Sequence, residues 1–360
     1  MNPWFILFLV GITANQFASA AENLVFITWD GLRWQEVFHG AEAALISKEA
    51  GGVPNVGEIR TTYWQASPES RRETLLPFLW GTLVPQGQLF GDPSRQARAQ
   101  VTNGKKFSYP GYNEMFAGFA DDRIQSNDKI PNPNINVLEF LNRRPAFASK
   151  VAAFATWDVM DFILNRDRSG LLIRTGWSML DDEPLTARQR QVNEMVRELP
   201  RLWRNNVYDA VTHTAALEHL RKHRPRVLYI GLGETDEWAH ARRYDLYLES
   251  ATRSDRYLRE IWETLQALPE YQGKTALIVT TDHGRGITAK DWTSHGVEIP
   301  ESEYIWIGAM GADIPALGVR DNVTVTQSQI AATLAQLVGE DFTRGSQQVA
   351  APLPLASPVN

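Results

Sequence analysis

The sequence predicts an α/β fold: a central, mostly parallel sheet sandwiched by helices. Five short apolar runs do not alternate polar with apolar residues, which is the pattern of strands buried on both faces. Stretches of helical periodicity lie between some of these runs, and strands alternating with helices define a doubly wound architecture. Three of the five runs lead straight into a carboxylate, at the sheet edge where open α/β sheets bind ligands.

In chain order, residues 1–20 carry no charged side chain, hold an apolar core at 5–10 and end in Ala18-Ser19-Ala20. That is the pattern of a secretory signal peptide cleaved after Ala20. Asn15 and Gln16 interrupt a core too short to span a bilayer. No other stretch could span one, so the expected mature chain is secreted or periplasmic. Residues 24–28 (LVFIT) are the first strand, followed by Trp29-Asp30-Gly31. Residues 40–105 give few periodic signals and read as a long insertion. The second strand is 150–155 (KVAAFA). A helix over 207–223 leads into the third, 226–231 (RVLYIG), which is followed by Leu232-Gly233-Glu234-Thr235-Asp236. Ala251, Leu258, Ile261 and Leu265 mark one face of a helix over 245–268, stopped by Pro269. The fourth strand, 275–280 (TALIVT), ends on Thr281-Asp282-His283-Gly284, and the fifth is 304–308 (YIWIG). Thr326 and Gln329 have capping-box spacing and predict a helix over 326–338, closed by Gly339. The Pro- and Ala-rich end, 346–360, reads as a flexible tail after one catalytic domain over 21–345.

The 360 residues are 43% hydrophobic and 22% charged, an ordinary globular balance that excludes a mainly disordered chain. A net charge of −6 without any block of like charges speaks against extended nucleic-acid binding. With no cysteine, thiolate catalysis, disulfides and cysteine-held metals are ruled out. Any metal must be held by Asp, Glu, His or hydroxyl oxygen.

Asp30, Asp236 and Asp282 are thus delivered to one edge of one sheet, where they repel each other unless a cation intervenes. Histidines accompany them. His240 lies four residues after Asp236, on the same face if that stretch is helical; His283 adjoins Asp282; His295 sits in Ser294-His295-Gly296. These six residues are N/O ligands enough for two divalent ions with three protein ligands each. Singly, each has a plainer reading: Asp30 as a turn residue, Asp236 and His240 as a surface pair, Asp282 as a helix cap. Together, at strand ends of one chain, the plainer readings must all hold at once. His219 and His223 lie in a basic helix end and read as solvated, while His39 and His213 have no acidic partner in register.

The ordered set Asp30, a hydroxyl, Asp236-x-x-x-His240, Asp282-His283 and His295 resembles the alkaline phosphatase superfamily of two-metal phosphohydrolases over about residues 24–340. The segment around Ser108, with Pro110 two residues on and Gly118 ten residues on, resembles the nucleotide pyrophosphatase/phosphodiesterase branch. The resemblance implies that Ser108 is the nucleophile, with Thr102 as substitute. It implies one ion among Asp30, Ser108, Asp282 and His283, and another among Asp236, His240 and His295. Zinc is the expected metal, with manganese as the other choice. An asparagine beyond the nucleophile binds phosphoryl oxygen in the family. Asn127 is the expected match, with Asn132, Asn134 and Asn136 competing. Tyr112 stands where a formylglycine sulfatase needs Arg. Lys105, Lys106 and Arg123 are candidates for gripping the phosphoryl group by proximity in sequence. The function implied is a phosphohydrolase of small-molecule mono- or diesters acting through a phosphoserine. The alternatives are a cofactor-independent phosphomutase of the same superfamily and an inactive binding protein with this fold. Oligomeric state is left open.

Overall fold

The computed structural model describes residues 21–344 and 346–355. The expected signal peptide, residues 1–20, lies outside them, as do residues 356–360 of the expected tail. No described helix is long and apolar enough to cross a membrane.

The strands in chain order are β1 (Asn23–Trp29), β2 (Gly87–Phe90), β3 (Arg98–Gln100), β4 (Val151–Ala155), β5 (Leu172–Thr175), β6 (Val227–Leu232), β7 (Thr275–Thr280), β8 (Tyr304–Ile305), β9 (Ile307–Gly311), β10 (Gly318–Val319) and β11 (Thr324–Thr326). Among the described residues, eight of them form one sheet in the order β10-β2-β9-β7-β1-β6-β4-β5, and β11-β3-β8 form a small second one. From β7 through β5 every neighbouring pair is parallel. The absence of alternation in the apolar runs has the expected cause. Along β1, Val25, Ile27 and Trp29 join one buried cluster, while Leu24 and Phe26 join another on the opposite face.

Four of the five expected strands stand within a residue or two of their predicted bounds. The fifth is two strands: Trp306 divides β8, in the small sheet, from β9 in the large one. β9 runs antiparallel to both β7 and β2, a direction that composition does not encode. The stretch read as an insertion, 40–105, contributes several short helices and also β2, which pairs with β9. The final helix begins at Gln329, not Thr326. Thr326 N donates to Gln329 Oε1 at 2.9 Å, half of the expected box, but Ser328 is the N-cap and its N–H and hydroxyl are both bound to Glu114. The Pro- and Ala-rich end is not loose through Leu355. Leu353 and Leu355 are buried, Leu353 N donates to Thr333 Oγ1 at 2.8 Å, and Gln88 Nε2 donates to Leu355 O at 2.6 Å. Burying two leucines there offsets the entropy of ordering the segment.

Register aligns the functional strand ends. Thr28 of β1 pairs with Gly231 of β6 on one side and Thr280 of β7 on the other. Asp30 and Asp282 therefore emerge at the same level, each two residues beyond its paired threonine. After β6 the chain turns directly into the helix Glu234–His240, which carries Asp236 and His240 on adjacent turns of one face.

Candidate metal centre and active site

The structure brings six of the sequence-predicted ligands together in two adjoining groups. In the first, Asp30, Asp282 and His283 present atoms within 4.8 Å of one another. His283 Nε2 lies 3.6 Å from Asp30 Oδ1 and 3.4 Å from Asp282 Oδ2. Its Nδ1 faces Gly284 O at 2.9 Å, which places the ring proton there and turns the Nε2 lone pair toward the carboxylates. Asp30 Oδ1 and Asp282 Oδ2 are buried without a hydrogen-bond partner. Burial and the neighbouring Asp282 charge push Asp30 well above the ordinary carboxylate range, and burial pushes Asp282 up to about 6. Burial also pushes the His283 imidazole down, toward its neutral form. Three converging acceptors, two of them buried carboxylate oxygens without a partner, fit a divalent cation.

In the second group, His240 Nε2 lies 3.3 Å from Asp236 Oδ2 and 3.1 Å from His295 Nε2, and His295 Nε2 is 3.8 Å from Asp236 Oδ1. His295 Nδ1 faces Lys106 O at 3.3 Å. Burial lowers both imidazoles, and for His295 the nearby His283, Arg285 and His240 lower it further. Two imidazoles held toward neutrality, with their Nε2 atoms converging on one carboxylate, again fit a metal. The groups abut: His283 and His295 stack with ring centroids 3.9 Å apart.

Ser108 is the first residue of the helix Ser108–Ala117, and its Oγ lies 3.4 Å from His283 Nε2, beside the first group. The backbone reaches that position because residue 111 is glycine. A Cβ there would sit 2.4 Å from Asp282 O, so a side chain would hold the helix away from the strand end. Glu114 anchors the same helix from its far side, accepting from Thr102, Asn103 and Ser328. Thr102, the substitute nucleophile, thus has its hydroxyl committed to Glu114 at 2.8 Å.

A cavity of about 120 Å³ opens on both groups, lined in part by Asp30, Ser108, Asn127, Asp236, His240 and His295. Asn127 Oδ1 accepts from Tyr109 N at 2.9 Å, which fixes its amide beside Ser108. The competing asparagines serve the fold. Asn132 and Asn134 bind Asn113, and Asn136 caps the helix Val137–Asn142. None of the proposed phosphoryl-gripping cations lines the cavity. Lys106 Nζ is held by Glu303 at 3.1 Å and Ile299 O at 3.3 Å, while Arg123 is paired with Asp121.

Other residues of the site escaped the sequence reading. Trp157, Asn206, Gly233 and Glu237 complete the cavity wall. Trp157 follows β4 by two residues, so the strand-end argument applied to three strands would have found it on the fourth. Tyr112, read as a missing arginine, donates its hydroxyl to Asp30 Oδ2 at 3.1 Å. Arg285 is buried among the ligand segments; an arginine between Gly284 and Gly286 directly after Asp282-His283 was the available signal. Of the remaining histidines, His213 does have an acidic partner, Glu260 at 2.8 Å, supplied by another helix. His223 lies 2.7 Å from Asp182, and His219 is buried beside it rather than solvated. Lys222 Nζ, 3.2 Å from the same carboxylate, already neutralises that cluster.

Residues 202–336 match the model of the Metalloenzyme superfamily. The matched stretch holds Asp236, His240, Asp282, His283 and His295. Among solved structures, the chain is similar to the lipoteichoic acid synthase LtaP from Listeria monocytogenes, with a TM-score of 0.58 at 11% identity over 94% of this chain and 76% of that one. It is similar to wild-type alkaline phosphatase PafA, with a TM-score of 0.57 at 11% identity over 93% of this chain and 98% of that one. It is also similar to a 2-O GAG sulfatase, with a TM-score of 0.52 at 12% identity over 94% and 73%. No curated protein matches the chain. The fold is the alkaline phosphatase-like α/β fold.

Proposed function

We propose that this chain is an exported, metal-dependent phosphohydrolase that cleaves phosphate esters through a phosphoserine on Ser108, with diesters ahead of monoesters. The observation that carries the reading is the position of Ser108 Oγ beside the Asp30–Asp282–His283 group, at the N-terminus of a ten-residue helix. Asp30, Asp282 and His283, with Ser108, would hold one divalent ion, and Asp236, His240 and His295 a second. Bound there, such ions would supply Lewis acidity, favouring the Ser108 alkoxide and the charge of the departing oxygen.

The chain's own residues do the rest. Ser108 Oγ forms a bond to phosphorus as the bond to the leaving oxygen breaks. Water then attacks the phosphoserine and releases phosphate or its monoester. The dipole at the start of the Ser108–Ala117 helix favours the phosphoryl oxygens. Asn127, fixed by Tyr109, lies where its amide can donate to one of them. Tyr112 and the Gly31 N–H, which donates to Asp282 Oδ1 at 3.1 Å, hold the two carboxylates in their converging orientation. The wall of the cavity carries no lysine or arginine to offset the second charge of a monoester, which supports a diester preference.

An aryl phosphate monoester, an aryl phosphodiester and an aryl sulfate, assayed before and after metal removal, test the proposal. The expected result is chelator-sensitive hydrolysis restored by zinc, fastest with the diester. Turnover unchanged in a demonstrably metal-free sample, or a dominant sulfatase rate, would overturn it.

A further inference from the structure

Arg285 is the side chain that this reading of the site leaves without a role. It is fully buried and reaches across every segment that carries an Asp or His of the two groups. Its own backbone lies two residues beyond His283. Nε donates to Gly31 O, directly after Asp30, at 3.0 Å; one Nη donates to Thr293 O, two residues before His295, at 2.9 Å. The other Nη donates to Asp236 O at 3.3 Å and also meets Asp236 Oδ1. The path of the guanidinium is built into the backbone. Gly31 has φ +60°, and a Cβ there would sit 2.8 Å from both Arg285 Nε and its Nη2. The residue following Asp30 therefore needs to be glycine for conformation and for room.

We infer that Arg285 is the positioning residue of the second metal group: it occupies one oxygen of Asp236, so that the carboxylate presents the other to the ion shared with His240 and His295. This rests on the metal-dependent reading above. A planar fork of five donors can reach three carbonyls and a carboxylate at once; an ammonium in the same space cannot. Loss of the fork frees Asp236 to rotate and unties Thr293 from Gly31, which moves His295 relative to Asp236. The first group keeps direct supports on its carboxylates, Gly31 N on Asp282 and Tyr112 on Asp30, and Arg285 hydrogen-bonds to neither.

The test is zinc binding by the full chain, read as metal content per chain and by calorimetric titration of the metal-stripped protein, for wild type, Arg285→Lys and Arg285→Gln. Wild type is expected to take up two zinc ions. In both variants one ion should bind as in wild type, while the other weakens by about 10–100-fold, the usual loss when a group supporting a ligand is removed. Two ions bound by Arg285→Lys at wild-type affinity would overturn the inference while leaving the proposed function intact. No zinc uptake by wild type would overturn both. Should the variants fail to fold, zinc-edge diffraction from wild-type crystals decides the question. The guanidinium hydrogen-bonded to Asp236, with the other carboxylate oxygen on the ion, supports the role; a guanidinium turned away from Asp236 contradicts it.

Discussion

Replacing Gly111 with alanine separates the position of the nucleophile from its chemistry. The new Cβ would lie 2.4 Å from Asp282 O and 3.2 Å from its carbonyl carbon. A comfortable C···O approach is about 3.3 Å or more, so the helix Ser108–Ala117 must retreat from the strand end by about 1 Å. Two stability effects oppose each other. Alanine in a helix interior gains about 1 kcal/mol over glycine, whereas forcing a methyl into a packed contact costs about 1–3 kcal/mol. The net is a loss of up to about 2 kcal/mol, so the variant still folds. Activity suffers more, since displacing a reacting group by about 1 Å costs on the order of 100-fold. Gly57→Ala is the control. Gly57 lies in the exposed helix Val56–Tyr63, its nearest new neighbour would be 3.8 Å away, and the change should raise stability slightly without touching turnover. The assay is thermal unfolding of the metal-loaded proteins beside kcat/KM for an aryl phosphodiester. A Gly111→Ala protein with raised Tm and wild-type kcat/KM would refute the argument that this glycine sets the seat of Ser108.

Tyr112→Phe deletes the hydroxyl that donates to Asp30 Oδ2; zinc affinity at the first group should fall by about 10–100-fold, measured by calorimetric titration. Stripping the metals should lower Tm and restoring zinc should raise it, because a ligand that binds only the folded state stabilises by mass action; scanning calorimetry with and without chelator checks this. Asp255 offers a pH test away from the site. Burial pushes it up to about 7, while its carboxylate accepts from Phe78 N and Leu79 N. The folded state therefore keeps a proton that the unfolded state releases near pH 4. The stability this group contributes is complete below about pH 4 and is lost as pH rises through about 7, by at most about 1.4 kcal/mol per pH unit. Urea midpoints at pH 5 and pH 8 should show that decline in wild type and a weaker one in Asp255→Asn; equal slopes would contradict it.

What the sequence made legible follows physical rules that act locally. β1, β6 and β7 were visible because strands buried on both faces must be continuous apolar runs, and Asp30, Asp236 and Asp282 because functional groups on such sheets stand at the strand ends. β2 and β5 were not. Gly87–Phe90 is four residues of ordinary composition, and Leu172–Thr175 carries Arg174 at the sheet edge. The antiparallel direction of β9 is a property of the chain path, invisible in Tyr304-Ile305-Trp306-Ile307-Gly308. The same limit governs the site. Six candidate ligands could be read because spacing and residue type announce them, whereas Asn206 reaches the cavity through tertiary contact alone. Glu260 finds His213 from a different helix. The terminal leucines show that composition rich in Pro and Ala marks irregular backbone, not the absence of packing.

In the proposed reaction Ser108 carries the phosphoryl group between the two halves of the cycle. Acid-quenching the zinc-loaded enzyme during turnover of an aryl phosphate ester, followed by peptide mass spectrometry, tests it most directly. Phosphate is expected on Ser108 and none on Thr102, whose hydroxyl is bound to Glu114. Phosphate on Thr102, or full turnover with an unmodified Ser108, would contradict it.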